Sequence, residues 1–81
     1  MMNKEKQMIR DTVYVSPFFG QVMRIPAAAV KTYVKRDELL TKMRELGGIA
    51  APVSPAMLRL RSQMLACKRK IAREGWFCEI L

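Results

Sequence analysis

Six cations, Arg59, Arg61, Lys68, Arg69, Lys70 and Arg73, crowd the segment from Pro55 to Arg73, and no acid interrupts them. They supply six of the eight net positive charges that fifteen Lys and Arg leave against seven Asp and Glu. The chemistry such a row can do is electrostatic: it holds phosphates or an acidic protein surface rather than making or breaking bonds. Covalent chemistry has little material. With no histidine, neither a Ser-His nor a Cys-His nucleophile pair nor a His-containing zinc site can form within the chain, and two cysteines cannot build a four-thiolate site. Nucleophilic catalysis by Cys67 or Cys78 needs a low-pKa thiolate beside a base; Lys68 and Arg69 adjoin Cys67, but its place on an apolar stripe predicts burial. Gly47-Gly48 lacks the spacing and the following Lys-Ser/Thr of a phosphate-cradling loop. The acids are scattered. We therefore expect no enzyme, no cofactor and no metal.

The element that must position the cations is a helix. Ser54-Pro55 is a strong start, a hydroxyl N-cap followed by proline at the first helical position, and Gly75 stops it after Glu74. Met57, Leu60, Met64, Cys67 and Ile71 follow a 3-4-3-4 spacing and form its core stripe, with Cys67 as a small buried hydrophobe. Arg59, Arg69, Lys70 and Arg73 lie opposite. Arg61 and Lys68, one heptad apart, sit at the stripe's edge, between it and Leu58, Leu65 and Ala72. The helix macrodipole accounts for cations near the C-terminus, from Lys68 to Arg73, but not for Arg59 and Arg61, which lie where acids are preferred. A merely solvated face would also mix signs to gain i,i+4 pairs.

Upstream, Asp11 to Ser16 is rich in β-branched and aromatic residues and predicts a short strand. Pro17 and Gly20 bracket a turn carrying Phe18 and Phe19, and Gln21 to Ile25 closes a hairpin. From Ala27 to Leu46 the composition is helical, but one rod does not bury every apolar residue against one surface. At about 100° per residue, Val30, Tyr33 and Val34 point one way, and Leu39, Leu40, Met43 and Leu46 more than about 100° away. With Asp37 as an N-cap, this predicts a break near Lys35–Asp37 and two helices, roughly 27–35 and 38–46, the second ended by Gly47-Gly48. Trp76 to Leu81 reads as a closing strand that pairs with Thr12–Val15. The expected fold is α+β: a small three-helix domain with a short N-terminal strand or hairpin and a C-terminal closing strand. Residues 1–10 read as a flexible N-terminal segment and residues 11–81 as a single compact domain.

The 51% hydrophobic fraction supplies a core and excludes a generic disordered tail. The charged start, Met1 to Met8, has no apolar stretch of signal-peptide length behind it, no run approaches the ~18 residues that span a bilayer, and two Cys make a poor disulfide framework. A cytoplasmic location follows as the expectation. A basic amphipathic helix also raises membrane-surface binding, but a Met- and Cys-bearing stripe needed for the core argues for no membrane.

Helix, helix, basic helix, then Ile71-Ala72-Arg73-Glu74-Gly75-Trp76-Phe77-Cys78-Glu79-Ile80 resembles the end of a winged helix-turn-helix domain. In that family a recognition helix commonly finishes with an apolar residue, a charged pair, Gly and an aromatic that enters the wing strand. The resemblance takes in Asp37 to Gly48 as a helix of the bundle and Val53-Ser54 as the start of the next element, about half the chain. That family has two helices where the 3-4-3-4 spacing here predicts one. A small, basic, single-domain chain also resembles proteins of phages and mobile elements.

These readings lead to two expectations. The first is a small basic DNA-binding or regulatory module whose C-terminal helix presents Arg59, Arg61, Lys68, Arg69, Lys70 and Arg73 to phosphates. The second is a phage-type inhibitor or adaptor that meets an acidic surface of a host nucleic-acid enzyme, such as a recombination nuclease or polymerase, through the same helix. Phe18, Phe19 and Trp76 are candidate interface aromatics, with plugging of the core as the alternative role for the two phenylalanines. Tyr14 and Tyr33 are expected to pack with their hydroxyls at the surface. No small-molecule substrate is implied.

Overall fold

A computed structural model describes residues 11–50 and 52–81; the flexible segment expected over residues 1–10 lies outside them. Strand β1 (Asp11–Val15) and strand β2 (Val22–Pro26) form an antiparallel hairpin, with Val13 opposite Arg24 and Val15 opposite Val22. Between them the chain reverses through Pro17, Phe18, Phe19 and Gly20. The Ser16 amide donates to the Gln21 carbonyl at 2.8 Å and the Gly20 amide to the Ser16 carbonyl at 2.7 Å, with Gly20 at a positive φ of 69° that favours glycine. A 3-10 turn, Ala27–Ala29, follows Pro26 and leads directly into helix α1 (Val30–Glu45).

Helix α2 (Pro55–Glu74) has the boundaries its residues dictate. Ser54 is extended, its Oγ accepts from the Met57 amide at 3.2 Å, and Pro55 opens the first turn. Gly75 takes the left-handed conformation at φ 70°, so that the amides of Gly75 and Trp76 reach back to the carbonyls of Ala72 and Ile71. The segment is one unbroken helix, which α1 meets as the other arm of a helical hairpin. Strand β3 (Glu79–Ile80) then returns to the sheet.

Two expectations are corrected. The domain has two α-helices and a three-stranded antiparallel sheet, not three helices. Helix α1 runs through Lys35–Asp37 without a break because it is held between two surfaces rather than against one. Tyr33 and Val30 turn toward the sheet, where Met23, Ile25, Ala29 and Tyr33 form a buried cluster with Tyr14, Ile71, Trp76 and Cys78 against it. On another side, Leu39 is buried in the helical hairpin, as are Met57 and Met64 of α2. Each of the two apolar sets thus buries a residue, Tyr33 in one and Leu39 in the other, while Val34 and Leu46 stay exposed. The closing strand is also shorter than expected and pairs with β2, Met23 opposite Ile80 and Arg24 opposite Glu79, so the order is β1-β2-β3. The central place falls to β2 because its Met23 and Ile25 are fully buried, whereas β1 has only half-buried residues on its inner side. The outer face of the sheet carries Val13, Val15 and Val22, all exposed, beside an Arg24–Glu79 ion pair at 3.0 Å.

Candidate nucleic-acid interface

Asp37 was expected to cap a helix. It lies instead in the middle of α1, 1% exposed, and binds the hairpin to the helix. Its Oδ2 accepts from the Tyr14 hydroxyl at 2.6 Å and the Ser16 hydroxyl at 2.8 Å, and its Oδ1 from the Arg36 guanidinium at 2.9 and 3.1 Å. Ser16 Oγ in turn accepts from the Phe19 amide at 3.1 Å. The Arg36 guanidinium stacks over Phe19 at 5.2 Å and Tyr33 at 4.8 Å, and Arg44 lies over Phe18 at 4.7 Å. A buried acid and two arene–guanidinium contacts, Arg36 on Phe19 and Arg44 on Phe18, therefore fix the turn on α1. Phe18 is half-buried, Phe19 is exposed, and their rings meet edge to face at 4.8 Å.

The tyrosines depart from expectation for the same reason. Their hydroxyls point inward, Tyr14 to Asp37 and Tyr33 to the Trp76 carbonyl at 2.7 Å. Burial, then the hydrogen bond to the Asp37 carboxylate, raises the Tyr14 phenol far above its ordinary value. Burial, and next the charge of the adjacent Cys78, pushes Tyr33 up to about 12 from 10.0. On unfolding both phenols ionise near their ordinary value, so above it the folded chain binds protons that the unfolded chain has released. Stability is therefore expected to hold up to about pH 10 and to fall as pH climbs from about 10 toward 12. Urea denaturation across that range reads it directly; an unchanged midpoint at about pH 11 contradicts the inward placement.

The six cations of α2 are all exposed, but they do not share one face. At about 100° per residue, Arg59 and Lys70 lie on one flank of α2, Arg61 and Lys68 on the other, and Arg69 and Arg73 between them on the outer side. Arg73 lies 3.8 Å from Glu74. The flank with Arg59 and Lys70 faces residues that the sequence did not single out. Lys31 and Lys35 of α1 join Lys70 around a depression of about 240 Å³ floored by Thr32, Ala66 and Cys67. Further along the same inter-helix groove, Lys42 and Arg59 line a second hollow of about 400 Å³ with Leu60, Gln63 and one acid, Glu45. Among the described residues no carboxylate lines the first hollow, and none of these five cations makes an ion pair. Lys70 is further placed by Trp76, whose ring its Nζ overlies at 5.7 Å. Trp76 itself packs against the core, and it is Phe77 that lies exposed.

Cys67 is half-buried in the groove rather than fully enclosed, and Cys78 packs against the core; both are free thiols. A sequence signal for the α1 lysines does exist. Lys31, Lys35 and Lys42 fall within about 40° of one another around the helix. It is masked by Asp37, Glu38 and Glu45, which bring the local net charge down, although Asp37 is buried and of the three only Glu45 lines the groove. No group of three or more potential metal ligands occurs among the described residues. No described helix is long and apolar enough to cross a membrane. Compared with family models, curated proteins and solved structures, the chain matches none.

Proposed function

We propose that the chain is a small DNA-binding module that grips a phosphate backbone along the groove between α1 and α2. The observation that carries this is the convergence of Lys31, Lys35 and Lys42 with Arg59 and Lys70 on one groove, three cations from one helix and two from the other. From Lys31 to Lys42 the helix rises about 16 Å. That length runs past several phosphates of a backbone strand, and each of the five cations is taken to meet one of them. Lys and Arg used in this way fix the register on the backbone and carry no base specificity. The mode needs no helix-turn-helix, because the groove and not the tip of a recognition helix does the holding. The groove lining, which combines cations with a lone acid and no base-like group beside Cys67, supports binding rather than catalysis.

Anisotropy titration of the chain against a mixed DNA duplex tests this. Five phosphate contacts give a log–log salt slope near −4.5, a loss of roughly 500-fold in affinity between about 50 and 200 mM salt. Failure to bind at about 50 mM salt overturns the proposal.

A further inference from the structure

On the flank of the helical hairpin opposite the lysine groove lies a second concavity of different character. It encloses about 430 Å³ between the Phe18–Phe19 turn, Leu40, Met43 and Arg44 of α1, Gly48 and Ile49 of the inter-helix connection, and Arg61 of α2. The walls are apolar apart from two guanidinium groups. Ile49 is 101% exposed, an isoleucine with no protein cover at all. On α2, the spacing Leu58, Arg61, Leu65, Lys68 continues this flank, and both leucines are about half exposed, at 51% and 48%. The flank thus alternates apolar and cationic residues, and among the described residues no carboxylate lines the concavity.

We propose that this cleft docks an acidic amphipathic helix of a partner protein. One large apolar side chain of that helix sits between Phe18, Leu40, Met43 and Ile49, and its carboxylates meet Arg44 and Arg61. Charge complementarity selects the partner. An apolar pocket rimmed by arginines rewards a ligand that places a hydrophobic anchor beside carboxylates, which guanidinium groups hold bidentately. The volume suits one or two large side chains, and neighbouring anchors at helical spacing reach Leu58 and Leu65. Nucleic acid fits less well. Guanidinium groups already cover one face of Phe18 and one of Phe19, and the two rings stand at 86° to each other, so they make no parallel platform for successive bases. Phosphates gain nothing from Ile49 and Met43. The arginines over the phenylalanines also hold the pocket open before any partner arrives, which lowers the ordering cost of binding.

This surface is independent of the lysine groove, and the test separates the two. The probe is a synthetic amphipathic peptide with Leu and Phe on one helical stripe and Glu beside it, together with a Gln-for-Glu analogue and a scrambled peptide of the same composition. The acidic amphipathic peptide is expected to bind the intact chain at micromolar concentration, with the Gln analogue and the scrambled peptide each weaker by about tenfold or more. Isotope-labelled Met43 should report the contact by a methyl shift. Ile49→Glu and Arg61→Glu change exposed residues, so the fold is retained, and each should weaken the peptide by about tenfold or more, while a Lys31/Lys35/Lys70 triple Gln variant should not. Equal binding of the scrambled peptide, no binding below about 1 mM, or an unaltered Ile49→Glu variant overturns the proposal. A DNA duplex that shifts the Met43 methyl also overturns it, by giving the cleft to nucleic acid. If DNA binds and the peptide does not, the cleft proposal fails alone; if the peptide binds and DNA does not, the groove proposal fails alone.

Discussion

Replacing Asp37 by alanine is expected to destabilise the fold by about 3–5 kcal/mol, the usual penalty for removing one partner of a buried ion pair. The cost comes from what is left behind. The Arg36 side chain is only 15% exposed and loses its counter-charge, the fully buried Ser16 hydroxyl loses its acceptor, and the part-buried Tyr14 hydroxyl keeps only a long 3.5 Å contact to the Tyr33 carbonyl. A chain of 81 residues has about 4–12 kcal/mol of stability in total, so Asp37→Ala brings it close to unfolding at room temperature. Asp37→Asn keeps the volume and an acceptor oxygen but not the charge, and should fall between wild type and alanine. Urea denaturation of the three proteins decides it. A loss below about 1 kcal/mol for Asp37→Ala means that the buried network holds nothing together.

Asp37 also shows where the sequence stops being readable. Its partners Tyr14 and Ser16 are 23 and 21 positions away along the chain. Nothing local separates an aspartate that caps a helix from one buried in its middle, and the capping rule points to the commoner case. The mistaken break in α1 arose from the same blindness. Periodicity reports how many apolar directions a helix has but not how many surfaces surround it, so a helix clasped on two sides looks like two helices. Helix α2 was legible from end to end because its signals are local: Ser54 and Pro55 at the start, Gly75 at the stop, and a single stripe from Met57 to Ile71. The inward phenols of Tyr14 and Tyr33 were not, since a hydroxyl's partner depends on which strand and which turn of helix arrive beside it.

The basic site was half legible for a related reason. A run of cations without acids shows up in a count along the chain, so the six of α2 were found. Lys31, Lys35 and Lys42 do not stand out in such a count because they share a segment with Asp37, Glu38 and Glu45, of which only Glu45 lines the groove in space. Once α1 folds against α2, the lysines stand along the groove while Asp37 is buried under the hairpin turn. Of the six expected residues, Arg59 and Lys70 then belong to one surface and Arg61 to another. Net charge raises the expectation of an anionic partner, but the division into two surfaces exists only in the packed helices.

That division makes a quantitative expectation for DNA binding. If the groove holds the backbone, converting Lys31, Lys35 and Lys70 together to glutamine removes three phosphate contacts and lowers the steepness of the salt dependence by about 2.7. Since each contact contributes through counterion release, the loss vanishes near 1 M salt and grows on dilution, reaching about 500-fold at about 0.1 M. Glutamine keeps the length and polarity of an exposed side chain, so folding is little affected. Arg73 supplies the control, because it lies outside the groove beside Glu74. Arg73→Gln should change the slope by much less than about 0.9, the value for one lost contact. Equal effects per residue for the groove lysines and for Arg73 would mean that DNA answers to net charge alone and that the groove is no site. A slope that drops with the lysines and stays with Arg73 places the backbone between the two helices, with the arginine-rimmed cleft on the far side left free for a protein.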